Sequence, residues 1–135
     1  MKNKIIIVSG DPNSINSEII FKSWKKLNSS IKRKIYLISN FDLLTKQKKK
    51  LKFSNKLIKV KSIEEQAETN SLKVLDFKLK FKDPFNVKKK ESSNFIIECL
   101  NYAHKISLQN NIMGLINCGI DKKLLKRKNT GVTEY

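Results

Sequence analysis

The sequence contains few of the residues that build disulfide frameworks, tight turns or metal sites. Its 135 residues include two cysteines, two prolines, four glycines and one histidine. Cys99 and Cys118 are far apart and form no CxxC pair, which argues against a disulfide framework and against a zinc site. His104 has no second histidine to bind a metal with it, and its place on a helical stripe favours a packed boundary residue.

Long apolar runs are missing as well. The apolar run near the N-terminus, Ile5–Val8, is only four residues long, which is too short for the core of a signal peptide. No run approaches the length that crosses a membrane. These absences predict a cytoplasmic location and no membrane partner.

Arginine is scarce although the positive charge is very high. The formal net charge is +17, and of the 29 lysines and arginines only Arg33 and Arg127 are arginines. Such a charge is typical of proteins that bind polyanions. However, proteins that read nucleic acid depend on arginine and on stacking aromatics. Lysine, isoleucine and asparagine all have AT-rich codons, so codon bias is the other explanation of the lysine excess. We therefore expect no specific nucleic-acid partner, and keep a small basic nucleic-acid-binding module as the alternative.

The hydrophobic pattern predicts alternating strands and helices. Predicted strands cover Ile5–Val8, Lys34–Ser39, Leu57–Val60, Leu72–Phe81 and Ile112–Ile116, and predicted helices cover Ser14–Leu27, Phe41–Lys52 and Ser92–Gln109, the last starting at Ser92 or Ser93. The first and last strands are expected to be buried, and the Leu72 strand, which alternates apolar and polar residues, half-exposed. This order predicts a layered α/β fold with a largely parallel sheet, in a single domain over residues 1–135.

Polar loops follow the first and the last predicted strand. Ligands of open α/β sheets bind beyond the carboxyl ends of strands, so Asp11 and Asn117 are candidate cleft residues. Glu18, in the following helix, is a third candidate. The alternative is that Asp11 orders the turn and Glu18 is a solvated helix residue. The first loop contains neither a Walker motif nor GxGxxG.

Motifs at the two ends of the chain resemble those of a known family. Gly10–Glu18 reads GDPNSINSE, Gly119–Lys122 reads GIDK, and Gly131–Tyr135 reads GVTEY. In the same order, 4-hydroxythreonine-4-phosphate dehydrogenases of pyridoxal phosphate biosynthesis carry Gly-Asp/Glu-Pro-x-Gly-Ile-Gly-Pro-Glu, Pro-Ile-x-Lys and Gly-His-Thr-Glu. The departures include Asn16 in place of a glycine and Val132 in place of a histidine that contacts the substrate.

The resemblance implies a fold and a reaction. The fold is an α/β/α architecture related to isocitrate and isopropylmalate dehydrogenases, in a homodimer with a cleft between two subdomains. NAD or NADP accepts hydride from a small phosphorylated amino-acid substrate, a divalent metal polarises the resulting ketone, and decarboxylation follows. Thr133 and Lys122 occupy substrate-binding positions, and Val132 occupies the substrate-histidine position.

The resemblance covers only the N-terminal portion of the family pattern. It assigns no catalytic residue and no metal ligand within this chain, and it implies that the metal ligands and most of the dinucleotide site lie beyond Tyr135. We therefore expect an incomplete, truncated domain that is inactive alone. The remaining alternative is a non-catalytic remnant that keeps the fold and the dimer surface.

Overall fold

The computed structural model describes residues 3–109 and 111–120. Within this part of the chain, one sheet of five strands is flanked by helices. The strands are β1 (Lys4–Val8), β2 (Ile35–Ser39), β3 (Lys56–Val60), β4 (Ser71–Asp76) and β5 (Ile112–Asn117), and the helices are α1 (Asn16–Lys26), α2 (Ser29–Lys32), α3 (Phe41–Lys50) and α4 (Lys89–Ser107). The strand order is β3-β4-β2-β1-β5, and every pair is parallel. The predicted layered α/β fold is confirmed.

Two hydrophobic cores lie on opposite faces of the sheet. One is built around Phe21 and Trp24 of α1, and the other around Phe95 and Ile96 of α4. The crossover that leaves β1 runs through the α1 layer toward β2, whereas the crossover that enters β5 comes from β4 through the α4 layer. The chain therefore changes direction between β1 and β5, which makes their carboxyl ends a topological switch point.

Most predicted elements are confirmed to within two or three residues. β1 lies inside the sheet between β2 and β5, but the prediction that it is buried holds only in part, because Ile5 and Ile7 are half-buried. Asn40 caps α3, because its Oδ1 accepts a hydrogen bond of 2.8 Å from Leu43 N. The short helix α2 was not predicted; Asn28 caps it through the same kind of bond.

The prediction for β4 was wrong in both length and exposure. The strand ends at Asp76 and lies inside the sheet between β3 and β2. Lys73 is 3% exposed, and its Nζ lies 4.0 Å from the centroid of the Tyr36 ring and donates a hydrogen bond to Arg33 O. Because a lysine can bury its aliphatic stem when its ammonium group has partners, alternation of polar and apolar residues overstated the exposure of this strand.

The start of α4 and the surroundings of His104 also differ from prediction. The helix begins at Lys89, and Ser92 is buried inside it instead of capping it. His104 is exposed, so it is not a packed boundary residue. Leu108, an apolar residue one helical turn after His104, is 76% exposed. The buried stripe is therefore narrower than its apolar periodicity indicated.

β5 is an edge strand and not a buried one. Among the described residues it pairs only with β1. Met113, Leu115 and Ile116 are 50%, 38% and 52% exposed. A short apolar run has the same appearance in a central strand and in an edge strand with an uncovered face, so the sequence could not separate the two.

In residues 3–109 and 111–120, no helix combines the length and apolar character that crossing a bilayer requires.

Candidate functional site

The loops that follow β1 and β5 meet at one edge of the sheet. Cys118 N donates a hydrogen bond of 3.0 Å to Val8 O, and Asp11 N donates one of 3.3 Å to Gly119 O. The two strands are parallel neighbours, so their carboxyl ends lie side by side. The structure thus brings together the two loops in which the sequence placed candidate cleft residues, at the switch point where α/β sheets bind ligands.

Asn16 joins the two loops through its side chain. It is the first residue of α1 and is 8% exposed. Its Nδ2 donates hydrogen bonds of 2.7 Å to Gly119 O and 3.0 Å to Ser9 O. Sequence reasoning did not identify Asn16 as a site residue, although the replacement of a motif glycine by asparagine could have indicated a new side-chain contact there. A glycine there has no side chain with which to make either bond.

Gly10 makes the close approach of the two loops sterically feasible. Its φ is +77°, a conformation that side-chain-bearing residues rarely adopt. A Cβ at this position would lie 2.7 Å from Gly119 O and 3.0 Å from Cys118 O. The junction therefore requires glycine both for its backbone conformation and for space.

The carboxylates proposed from the sequence have structural partners. Asp11 Oδ1 accepts a hydrogen bond of 2.9 Å from Asn13 N, so the carboxylate orders the turn. Glu18 lies 3.6 Å from Lys22 Nζ one helical turn later, and both side chains are partly exposed. Asn117 is exposed at the end of β5. These contacts match the structural alternative for Asp11 and Glu18 and leave Asn117 on an open surface.

The loop after β1 is also held from its other side. Asn13 Nδ2 donates to Val87 O and Val87 N donates to Asn13 Oδ1, each at 2.7 Å. Gln47, which is 2% exposed on α3, donates through Nε2 to Pro12 O at 2.9 Å and to Pro84 O at 2.7 Å. The loop after β1 is thus hydrogen-bonded to three parts of the fold: the loop after β5, the segment around Val87, and α3. These bonds favour a single backbone conformation at the switch point.

The described residues contain no cluster of the side chains that most often bind metal ions. Across 3–109 and 111–120, no three His, Cys, Asp or Glu side chains come together. Burial raises the pKa of the Cys118 thiol, and burial together with Glu98 and Asp76 raises that of Cys99, so both thiols are protonated and are poor ligands and nucleophiles.

Three of the site residues implied by the resemblance, Lys122, Val132 and Thr133, lie outside the described residues. The described part of the chain therefore forms the base of the candidate site, at the junction of the two loops.

No protein-family profile matches this chain, and no curated protein sequence matches it. Solved structures do match. A putative 4-hydroxythreonine-4-phosphate dehydrogenase from Salmonella typhimurium aligns with a TM-score of 0.79 and 18% identity, over 100% of this chain and 42% of its own. The 4-hydroxythreonine-4-phosphate dehydrogenase from Klebsiella pneumoniae gives 0.76 and 17%, over 99% and 41%. The enzyme of that name from Burkholderia phymatum gives 0.81 and 17%, over 100% and 41%.

These similarities show the fold. The chain has the α/β architecture of these dehydrogenases and spans about two fifths of their length. The fold that the resemblance implied is thereby confirmed.

Proposed function

We propose that this chain supplies the substrate-facing portion of an NAD- or NADP-dependent dehydrogenase that oxidises a small phosphorylated hydroxy-amino acid. The observation that carries this proposal is the alignment of the whole chain with three 4-hydroxythreonine-4-phosphate dehydrogenases at TM-scores of 0.76 to 0.81. A fold alone does not define a reaction. The assignment to a substrate class therefore rests on the two terminal motifs, one of which forms the loop after β1.

The loop junction supplies a rigid floor for the substrate. Hydrogen bonds from Asn16 and Gln47 hold the loop after β1 against the loop after β5 and against α3. A fixed floor lowers the entropic cost of holding a substrate in one orientation. Asn117, exposed at the end of β5, is the described candidate with an open side chain facing solvent.

The residues that would contact the substrate follow β5 in sequence. Lys122, three residues after Gly119, would pair its ammonium group with the phosphate. The hydroxyl of Thr133 would donate or accept a hydrogen bond. Val132 has no polar side-chain atom, so any contact that a histidine makes at that position must come from another group or be absent here.

The reaction also needs a hydride acceptor and a Lewis acid. The described residues contain no group of three His, Cys, Asp or Glu side chains that could hold the metal, and we propose that the chain does not catalyse the dehydrogenation alone. The nicotinamide cofactor and the divalent metal would be held by residues other than these. A homodimer and a cytoplasmic location remain predictions of the family resemblance and of the sequence.

The positive charge is the basis of the competing proposal, a nucleic-acid-binding module. Lysine ammonium groups lie over several aromatic rings, at 5.1 Å for Lys25 over Phe53 and 5.4 Å for Lys59 over Phe41. Bases stack on open aromatic faces in single-strand binders, and these faces already carry a cation. This arrangement favours the dehydrogenase proposal.

A binding experiment tests the proposed function. Purified chain labelled with ¹⁵N is titrated with 4-hydroxythreonine-4-phosphate, and with 4-hydroxythreonine as the control. We expect the amide signals of Gly10, Asn16 and Gly119 to shift with the phosphorylated compound and to shift much less without the phosphate. Unmoved signals at millimolar ligand, or shifts confined to other parts of the sheet, would contradict the proposal.

Variants and turnover assays sharpen this test. Lys122→Ala and Thr133→Ala should each weaken binding roughly tenfold or more, because a lost hydrogen bond to a charged group costs about 1.5–3 kcal/mol. Lys123→Ala, which changes charge equally, is the matched control. With divalent metal and NAD or NADP added, the chain alone should form no reduced cofactor; turnover by contaminant-free protein would show that it holds a complete site.

A further inference from the structure

The segment that joins β4 to α4 runs across the carboxyl edge of the sheet. At its start, Phe77 N donates a hydrogen bond of 2.8 Å to the carbonyl oxygen of Ser39, the last residue of β2. Near its end, Val87 is bonded to the side chain of Asn13 through both of its backbone groups. The segment is therefore fixed beside the loop after β1, which forms part of the candidate site.

This segment and the first turn of α4 are unusually rich in lysine. Residues 78–90 include six lysines and one acidic residue, Asp83. The whole chain has 29 lysines and arginines in 135 residues, and two of these are arginines, so lysine is more than twice as frequent in residues 78–90 as on average. Codon bias acts on the whole sequence and does not explain this local excess.

The six lysines are all exposed. Exposed and half-buried side chains alternate along residues 77–82, so Lys78, Lys80 and Lys82 form one row that faces solvent. The lysines at 88–90 lie at the amino end of α4, where positive charge opposes the helix dipole and costs stability. Helix formation therefore does not explain the lysines at this end of α4.

The carboxylates near this segment do not neutralise its lysines. These carboxylates pair with lysines outside residues 78–90, namely Asp42 with Lys46 at 3.3 Å, Asp76 with Lys59 at 3.6 Å and Asp83 with Lys50 at 3.8 Å. Within residues 3–109 and 111–120, none of the six ammonium groups forms an ion pair. Because unpaired lysines are almost never fully buried in proteins, these ammonium groups act as free positive charges beside the candidate site.

We propose that residues 78–90 form a basic surface that attracts the phosphorylated substrate and raises the rate at which it reaches the loop junction. Unpaired like charges around a cleft produce a local potential of several kT and increase the association rate of an oppositely charged ligand. A phosphate group carries a charge of about −2 at neutral pH. The inference rests on the proposed function, and it concerns the approach of the substrate and not a contact in the bound state.

The first test maps the electrostatic field on the purified chain without substrate. Relaxation of each amide proton is measured with a negatively charged nitroxide and with its positively charged counterpart. We expect the ratio of the two enhancements to be about threefold higher at residues 78–90 than at the opposite edge. Three exposed lysines near the amino ends of the strands represent that edge: Lys26, Lys52 and Lys105.

The second test measures the rate constants for binding of 4-hydroxythreonine-4-phosphate, by line-shape analysis of the ¹⁵N titration. A triple variant with glutamate at positions 78, 80 and 82 should lower the association rate constant about tenfold at low salt. The dissociation rate constant should change little. Added salt should reduce the wild-type association rate toward that of the variant, because it screens exposed charges. Binding of 4-hydroxythreonine should show neither effect.

The matched control is a triple variant with glutamate at positions 26, 52 and 105. It changes the net charge by the same amount at the opposite edge, and should slow association less than about twofold, because charges beyond a Debye length are largely screened. Circular dichroism confirms that both triple variants remain folded.

Three results would overturn the inference. The first is an equal nitroxide ratio at the two edges. The second is equal slowing by the two triple variants, which would assign the effect to net charge. The third is faster dissociation without slower association in the first variant, which would indicate a direct contact. Failure of the wild-type chain to bind the phosphorylated compound would contradict the proposed function itself, whereas wild-type binding with an unchanged association rate in the first variant would contradict this inference alone.

Discussion

The side-chain nitrogen Nδ2 of Asn16 lies 2.7 Å from the carbonyl oxygen of Gly119, a residue 103 positions later in the chain. The same nitrogen reaches Ser9 O at 3.0 Å. One buried amide therefore ties the start of α1 to the ends of β1 and β5. The candidate site lies at this link, because the two bonds hold the loop after β1 and the loop after β5 against each other.

Replacing Asn16 by alanine should destabilise the fold by about 2 kcal/mol, since two hydrogen bonds of about 1 kcal/mol each are lost. Urea unfolding followed by circular dichroism measures the change. The control is Asn101→Ala, in which an exposed asparagine of α4 is replaced; it should be neutral or slightly stabilising, because alanine is the better helix former. Equal effects of the two variants would remove Asn16 from the junction.

Two glycines provide a matched pair for the steric argument. Gly10→Ala introduces a Cβ 2.7 Å from Gly119 O at a φ of +77°, and should cost about 2 kcal/mol or more through strain and displacement of the loop. Gly114→Ala adds the same methyl group where nothing lies within 4 Å, and should shift stability by less than about 0.5 kcal/mol. Thermal unfolding of both variants checks the contrast; a tolerated alanine at position 10 would contradict the geometry of the junction.

Lys73 should make stability depend on pH. Burial, followed by the nearby charge of Lys4, lowers the pKa of Lys73 from 10.5 to about 8. Between these values the unfolded chain binds the proton and the folded chain does not, so this residue adds stability as pH rises from about 8, at up to roughly 1.4 kcal/mol per pH unit. Below pH 8 both states are protonated, and the cost of burying the charge is constant.

Comparing wild type with Lys73→Met isolates the contribution of Lys73, because the thiols titrate in both proteins and their effect cancels. We expect the variant to be the more stable of the two at pH 7, and its advantage to shrink between pH 8 and pH 9.5. Denaturant unfolding at each pH measures the difference. Lys78→Met, at an exposed position after β4, is the control and should show a constant difference. A constant difference for Lys73→Met as well would show that the buried amine stays charged.

The net charge of +17 should produce only weak, non-selective binding to DNA or RNA. Counterion release drives such binding, so affinity should fall steeply with salt and should not distinguish sequences. Fluorescence anisotropy with labelled duplexes and single strands at several salt concentrations measures both properties. Selective, tight binding at physiological salt would instead favour the nucleic-acid-binding alternative.

Sequence patterns predicted the parallel sheet because β1 and β2, two of its three central strands, are short apolar runs between polar loops. The run Ile5–Val8 is typical of a strand inside a parallel sheet, although the structure leaves Ile5 and Ile7 half-buried. The glycine loop after it, followed by a helix, is typical of the crossover that joins two parallel strands. The position of the candidate site followed from the same reasoning, since the strand ends of a parallel sheet share one edge.

Contacts between residues that are far apart in the sequence determine the features that local patterns could not predict. The burial of Lys73 depends on the ring of Tyr36 and the carbonyl of Arg33, neither of which a local pattern reveals. Asn16 has its role because Gly119 lies beside it in space. The exposure of Ile116 depends on which elements cover the sheet, and the apolar run around it is the same whether that face is covered or open.

The pairing of β1 with β5 has a consequence for biosynthesis. Val8 is made early, and its partner Cys118 emerges from the ribosome only after more than a hundred further residues, on the order of ten seconds later at ordinary translation rates. During that interval one side of β1 has no strand to bond, and its isoleucines remain available to other nascent chains. This interval is therefore the stage of synthesis at which we expect a chaperone to matter most.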